Sequence, residues 1–136
     1  MAIGSFNKAI IGGRLGRDPE FTAFEDGNRI ARLSIATTEE WTRAGERQEK
    51  TDWHTVVLFK KAAVTFAERT LKKGDLVIAE GGIENRSYQK EGQTHYMTEI
   101  AVREGRGDIQ LMAKAATERP DGTPRRSGRP QPAGAG

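Results

Sequence analysis

Four aromatic residues of this 136-residue chain stand in or beside strongly polar sequence, where a hydrophobic core alone would not place them. They are Trp41, Trp53, Phe59 and Tyr88, and each has a lysine or arginine nearby in the sequence. A flat ring next to a cation is suited to stacking on a nucleic-acid base while the cation holds a phosphate. A lone aromatic residue in a strand is more often part of the core, so it is the set of four that favours a binding surface.

The segment after Asp52 alternates with the period of a β-strand. One face carries Trp53, Thr55, Val57 and Phe59, and the other carries His54, Val56 and Leu58. Lys60 and Lys61 follow directly. The pattern therefore predicts two aromatic rings in line on one side of a strand, with cations at its end.

Composition and charge narrow the class of protein. With 35% hydrophobic and 30% charged residues, the chain is typical of one polar domain. The net charge is +3, and residues 120–136 supply +2 of it through three arginines against Asp121. Subtraction leaves +1 for residues 1–119, so a surface that binds anions must come from local segregation of charge.

Several classes of function are not expected. Zero cysteines exclude disulfides, Cys-ligated zinc and a thiol nucleophile, and His54 and His95 alone do not predict a metal site or a cofactor. Residues 1–7 lack a signal-peptide pattern, and no apolar run is long enough to span a membrane. His54 has no catalytic constellation around it, and the adjacent Glu39 and Glu40 would point to opposite faces of a strand. We therefore predict that the protein is not an enzyme.

The rest of the body is predicted to be mostly β. Strands are expected over residues 6–15, 29–38, 52–60, 76–83 and 96–102, with a short final strand over 109–112. Residues 42–50 are expected to form a charged loop, and residues 84–95 a protruding hairpin with Tyr88 and Tyr96 on its arms. An apolar stripe predicts a helix over residues 61–73 that Gly74 stops, and its members are Ala63, Phe66, Ala67 and Leu71.

This order predicts an all-β fold with one helix, namely a five-stranded Greek-key OB-fold barrel with a protruding β-hairpin. An antiparallel sandwich could share the strand count, but the single helix between the third and fourth strands favours the barrel. Residues 1–113 are expected to form this domain. Residues 114–136 are expected to be a disordered tail, because the sequence from Pro120 onward has almost no apolar side chains.

Several motifs, which together span about residues 6–112, resemble one known family. They are Asn7-Lys8, Gly13-Arg14-Leu15-Gly16-Arg17-Asp18-Pro19-Glu20, Leu33-Ser34-Ile35-Ala36-Thr37 through Glu40-Trp41, Trp53-His54-Thr55-Val56-Val57-Leu58-Phe59, Leu71-Lys72-Lys73-Gly74, Glu80-Gly81 and Arg86-Ser87-Tyr88. The chain is similar to the bacterial single-stranded DNA-binding proteins, the homotetrameric type with one barrel per subunit. No single motif is specific, but the combination is.

The resemblance implies a role for each candidate residue. Base stacking is carried over to Trp41, Trp53, Phe59 and Tyr88, the last standing where the family often has tryptophan. Phosphate contacts are carried over to Lys8, Arg43, Lys61, Lys73 and Arg86, and the oligomer interface to His54. The implied partner is single-stranded DNA, bound and protected without sequence preference in replication, recombination and repair. The implied location is the bacterial cytoplasm, at the nucleoid.

One departure from the family lies at the C-terminus. Family members usually end in an acidic tip closing with Pro-Phe, which docks replication and repair enzymes, whereas this chain ends in Pro-Ala-Gly-Ala-Gly. We therefore do not expect docking through such a tip. A lost tip, a truncated chain and a specialised plasmid or phage copy all stay open, as do two other functions: an RNA-binding barrel and an oligomeric protein-interaction module.

Overall fold

The computed structural model describes residues 4–115; most of the predicted tail, and residues 1–3, lie outside the described residues. Its strands are β1 (Ala9–Leu15), β2 (Glu20–Ala23), β3 (Arg29–Arg43), β4 (Glu46–Leu58), β5 (Leu76–Lys90), β6 (Gln93–Val102) and β7 (Asp108–Ala113). One helix, α1 (Lys61–Thr70), lies between β4 and β5. In the described part of the chain, no helix is long and apolar enough to cross a membrane.

Five of the strands close into a barrel. They pair in the order β1-β3-β4-β6-β5, and β5 returns to pair with β1. Within the barrel the β4–β6 pair is parallel, and the other pairs are antiparallel. β7 extends the sheet beside β5, and the unpredicted β2 pairs with β3. The predicted fold class, a five-stranded OB-fold barrel with one helix, is thereby confirmed.

The core lies where the alternation of the strands predicts it. Ala31, Leu33 and Ile35 of β3 are at most 1% exposed, as are Val56 and Leu58 of β4. The helix adds its own apolar stripe to the same cluster through Ala63, Val64, Ala67 and the partly buried Phe66. The other face of β4 is buried at Val57 but exposed at Trp53, so its outer part can carry functional side chains.

The helix ends earlier than predicted. Thr70 is its last residue, and Leu71 has an extended backbone while its side chain stays buried in the core. Lys72 and Lys73 therefore lie in the following turn rather than in the last helical turn, and Gly74 adopts a left-handed φ of 91° there. The apolar pattern extends past the end of the helix because Leu71, a buried loop residue, is as hydrophobic as a buried helical residue.

The prediction of a charged loop over residues 42–50 is wrong. Both flanking strands continue into this segment and pair down to Arg43 opposite Glu46, forming an exposed β3–β4 arm, residues 38–51. Cross-strand pairs of opposite charge, such as Glu39 with Lys50, help to stabilise this arm, which has few apolar residues. Ala44 and Gly45 close the arm with φ values of 53° and 81°, the left-handed conformation of a two-residue hairpin turn.

A second arm is formed by β5 and β6, as predicted for residues 84–95. Its turn lies at Glu91 and Gly92, whose φ values are 53° and 78°. In its register Tyr88 lies opposite His95, and Tyr96 lies opposite Ser87. Since successive residues of a strand face opposite sides, Tyr88 and Tyr96 lie on opposite sides of this arm.

Candidate nucleic-acid interface

The side of the sheet away from the core, formed by β3, β4, β6 and β5, is called the outward face. The register decides which residues share it, because Val57 of β4 lies beside Ala101 of β6, and Ala101 lies opposite Gly82 of β5. Alternation then adds Arg32 and Ser34 of β3, Trp53 and Thr55 of β4, Glu99 of β6, and Glu84, Arg86 and Tyr88 of β5. This one face therefore collects aromatic rings and several charges.

Trp53 is the most exposed of the four predicted stacking residues. Its side chain is 61% exposed, and its ring lies against the backbone of Gly16 at the end of β1. A Cβ atom at Gly16 would be 2.4 Å from Cζ3 of the indole, so only glycine leaves room for the ring in this position. The indole is thus supported from one side and open to solvent on the other.

Tyr88 has a comparable support. It is 45% exposed, and its ring stacks on that of His95 with centroids 5.3 Å apart and an angle of 18° between the planes. The two residues are register partners on β5 and β6, so the strand pairing itself brings the rings together. The stack holds Tyr88 in place and leaves its exposed face for a base.

Phe59 differs from both because it is half-buried and follows the last residue of β4. Its backbone N–H donates to the carbonyl of Val102 at 2.8 Å, which holds the chain beside β6. Cζ of Arg103 lies 4.0 Å from the centroid of the Phe59 ring, in a cation–π contact. One face of this ring is therefore covered by a guanidinium group.

Trp41 lies apart from the other three. It is 44% exposed on the β3–β4 arm, opposite Gln48. Ala36 of β3 is the register partner of Trp53 and therefore lies on the same side as Trp53. The register continues without a shift to Trp41, an odd number of residues further along β3, so alternation places Trp41 on the opposite side of the arm from Trp53. The structure thus brings Trp53, Phe59 and Tyr88 towards one face and leaves Trp41 on the reverse of the arm.

An ionic network crosses the outward face, and the sequence did not reveal it. Glu84 accepts hydrogen bonds from Arg103 at 2.7 and 2.8 Å and from Arg106 at 2.6 Å. Glu99 accepts hydrogen bonds from Arg32 at 2.6 Å and from Nε of Arg86 at 3.2 Å. The hydrogen bond from Arg103 lowers the pKa of Glu84 and, in turn, raises the pKa of the Arg103 guanidinium. The lowered pKa keeps Glu84 ionised, and each of the two carboxylates gathers two arginines.

The chain was compared with known protein families and solved structures. The model of the single-strand binding protein family matches residues 6–112. The chain belongs to this family. Among solved structures, it is similar to "Plasmodium falciparum SSB complex with ssDNA", with 31% identity, a TM-score of 0.75, and coverage of 82% of this chain and 99% of that one. The single-strand binding proteins are DNA-binding proteins without a catalytic role, and functions in replication and repair are typical of them.

Two of the cations predicted for this single-strand binding protein are already paired. Nζ of Lys8 lies 2.6 Å from a carboxylate oxygen of Glu80, and both side chains are about 40% exposed, at 43% and 40%. Arg86 reaches Glu99, whose own side chain is only 6% exposed. A phosphate that approaches either cation must therefore compete with a carboxylate.

The other three predicted cations lie at the ends of elements. Arg43 ends β3, Lys61 begins α1 and Lys73 lies in the turn after the helix, and all three are exposed. Side chains of other segments anchor two of these backbones, since the N–H of Lys61 donates to Glu104 at 2.8 Å and that of Lys73 donates to Asp18 at 2.7 Å. Asp18 belongs to a family motif, and its role here is to cap the turn that carries Lys73.

His54, the predicted interface residue, lies on the core side of β4 and not on the outward face. It is half-buried opposite Ile35, with Nε2 2.8 Å from Oγ1 of Thr37. Within residues 4–115, no group of three or more histidine, aspartate and glutamate side chains is arranged to hold a metal ion. The site that the structure offers consists of rings and arginines.

Proposed function

We propose that this chain binds single-stranded DNA without sequence preference, by stacking bases on Trp53, Phe59 and Tyr88. The observation that carries this proposal is the pair of exposed rings of Trp53 and Tyr88 on one face, each supported from behind. A ring fixed in this way stacks on a base without first losing its rotational freedom. Each stacked base contributes about 1–3 kcal/mol, whichever base it is, because every base has a π face.

Selectivity for single strands follows from the same chemistry. In a duplex the π faces are hidden within the base stack, so rings on a protein surface have nothing to contact. The phosphates are held by the proposed contacts Lys8, Arg43, Lys61, Lys73 and Arg86. Displacement of counterions from these phosphates makes the affinity fall with salt concentration. A strand that contacts Trp41 as well as Trp53 has to pass round the edge of the β3–β4 arm.

We also propose that the protein acts as a homotetramer in the cytoplasm of its host, at the nucleoid, protecting transient single strands during replication, recombination and repair. An open sheet edge supports the assembly, because in the described part of β1 the pairing with β3 is limited to Arg14 and Leu15. Ile10 and Met112 are 61% and 53% exposed, and a partner subunit would cover such apolar side chains. His54 is assigned to the subunit contact. Any role of residues 116–136 lies outside the described residues.

The decisive experiment is a titration of tryptophan fluorescence with oligo-dT. We expect oligo-dT to quench the fluorescence strongly. In competition for labelled oligo-dT, we expect duplex DNA to compete weakly and oligo-U to compete less well than unlabelled oligo-dT. Trp53→Ala is expected to weaken binding at least fivefold by the stacking range above while the thermal unfolding midpoint changes little, because the ring is exposed. Tyr96→Ala is the matched control, since Tyr96 is 80% exposed on the reverse of the second arm.

Each other result has a definite meaning. Tight binding of oligo-U in preference to oligo-dT would replace the DNA proposal with an RNA-binding barrel. Failure to bind either strand would leave the oligomeric interaction module. Collapse of the fold in Trp53→Ala, with normal binding by the protein that remains folded, would make Trp53 a core residue.

A further inference from the structure

Glu84 and Glu99 stand directly opposite each other in the register of β5 and β6. Two like charges in this position destabilise a sheet unless cations compensate them. Here four arginines do so, and the network of six side chains keeps a surplus of two positive charges on the outward face. Glu99 is buried, but the pairs of Glu84 with Arg103 and Arg106 are partly exposed. Exposed ion pairs add little to stability, so this half of the network is better explained by the geometry that it fixes.

Arg103 is the most constrained arginine of the network. Its Nε and Nη2 donate to the two oxygens of Glu84 at 2.7 and 2.8 Å, a bidentate pair that fixes the plane of the guanidinium. Its Cζ lies over Phe59 at 4.0 Å from the centroid, and its side chain is 44% exposed. The guanidinium therefore lies over the ring, while the side chain stays open to solvent.

Glu84 is itself held from the other side by Arg106. Nη2 of Arg106 donates to Oε2 of Glu84 at 2.6 Å. A Cβ atom at Gly82 would be 2.6 Å from Cζ of Arg106, so the missing side chain of Gly82 provides the space in which this guanidinium lies. The carboxylate that orients Arg103 thus has a fixed position of its own.

We propose that Arg103 is a DNA-binding residue whose guanidinium forms the stacking surface at Phe59, with Glu84 as its positioning residue. A planar guanidinium can stack on a nucleic-acid base, and it can also stack on an aromatic ring. This refines the stacking position that the proposed function assigns to Phe59: the base contacts the guanidinium of Arg103, and Phe59 takes part in the stack by supporting Arg103 from behind, as His95 supports Tyr88. This inference rests on the proposed function, because it requires Phe59 to lie in the DNA site.

The test compares two probes, oligo-dT and an abasic strand of the same length, which has the phosphates but no bases. The ratio of the affinity for oligo-dT to the affinity for the abasic strand measures the contribution of stacking separately from that of charge. Arg103→Lys keeps the charge and loses the plane, so we expect the ratio to fall about fivefold, the low end of the stacking contribution. Glu84→Gln is expected to lower the ratio too, but not in an Arg103→Lys background, because Glu84 acts through Arg103.

A second ion pair provides matched controls. Arg29 and Glu68 also form a bidentate contact, through Nη1 and Nη2 at 2.9 and 2.9 Å, and Cζ of Arg29 lies 5.9 Å from the centroid of the Phe21 ring. This pair joins β3 to α1, away from the outward face. Arg29→Lys and Glu68→Gln are therefore expected to leave the ratio of affinities unchanged.

The wild-type protein gives an independent measurement. In NMR spectra, the Nε–H resonance of Arg103 is expected to shift upfield on addition of oligo-dT and to stay in place with the abasic strand. A wild-type ratio in Arg103→Lys, or no upfield shift, would overturn the role of Arg103 if Trp53→Ala and Phe59→Ala still lower the ratio. If those two variants also keep the wild-type ratio, the stacking site of the proposed function is wrong.

Discussion

The indole of Trp53 lies so close to Gly16 that a single methyl group cannot be placed between them. A Cβ atom at Gly16 would be 2.4 Å from Cζ3 and 2.7 Å from Cη2 of the ring, well inside van der Waals contact. The backbone of Gly16 is fixed at the same time, because its N–H donates to the carbonyl of Ser34 at 2.9 Å. An added side chain must therefore displace the exposed ring rather than the strand.

We accordingly expect Gly16→Ala to weaken oligo-dT binding about fivefold, because the displaced indole of Trp53 loses its stacking contribution. The unfolding midpoint should change little. The check is a double-mutant cycle, since two residues that act through one contact are not additive. In a Trp53→Ala background, Gly16→Ala should have no further effect on affinity. Equal losses in both backgrounds would show that Gly16 acts independently of the indole.

Tyr88 provides a second prediction. Tyr88→Ala should weaken oligo-dT binding about fivefold by removing one stacking surface, and Tyr88→Trp should tighten it about twofold through its larger ring. Neither change should alter assembly. Tyr96→Ala again serves as the control from the other side of the arm. Titrations at several salt concentrations that show no response to either change would remove Tyr88 from the site.

The order of strands around one helix was enough to predict the barrel, because each core strand carries a clear alternation. The β3–β4 arm could not be predicted in this way. Its residues are charged on both sides, and pairs such as Glu39 with Lys50 become favourable only when the strands are already in register. The end of α1 was misplaced for a related reason, since the burial of Leu71 is decided by the barrel and not by the helix.

The site was predictable to the extent that it depends on residue type. The rings of Trp53 and Tyr88 stand out in polar sequence, but their supports, Gly16 and His95, become visible only in the folded structure. The ionic network is harder still, since Arg32 and Glu99 are 67 residues apart. Arginine and glutamate in strands are usually solvated, so nothing in the sequence separates these from the others.

His54 tests the proposed assembly. Its half-buried ring has Nε2 2.8 Å from Oγ1 of Thr37, and we expect the larger ring of tyrosine to crowd the subunit contact assigned to this residue. We expect His54→Tyr to dissociate at micromolar protein concentration, where the wild type remains tetrameric in sedimentation velocity. His95→Tyr, a change of the same kind on the second arm, should assemble normally. A monomeric wild type, or equal sedimentation of all three proteins, would refute the assigned interface.

Asp75 joins the turn after the helix to the end of β7. Its side chain is fully buried, and its carboxylate accepts hydrogen bonds from Nζ of Lys114 at 2.9 Å and from the N–H groups of Lys72 and Ala115 at 2.9 and 2.7 Å. Burial opposes the ionisation of Asp75, but these hydrogen bonds together outweigh it and lower its pKa. The charged form is therefore a part of the folded structure.

The sign of the pH dependence follows from this lowered pKa. An aspartate in the unfolded chain titrates near pH ~3.9, so on acidification the unfolded state takes up its proton before the folded state does. The stabilisation by Asp75 is therefore fully present above that value and is lost as the pH falls towards the lower pKa of the folded state.

Asp75→Asn should lower the free energy of unfolding by about 1–3 kcal/mol at pH 7, because an amide cannot accept all three hydrogen bonds and adds donors where donors already point. Urea denaturation of both proteins between pH 7 and pH 3 checks this, and the wild-type curve should approach that of the variant at the acid end. Glu68→Gln, in an exposed pair, should leave the midpoint at pH 7 nearly unchanged. If the wild-type and Asp75→Asn curves stay parallel over the whole range, the Asp75 carboxylate does not contribute through its charge.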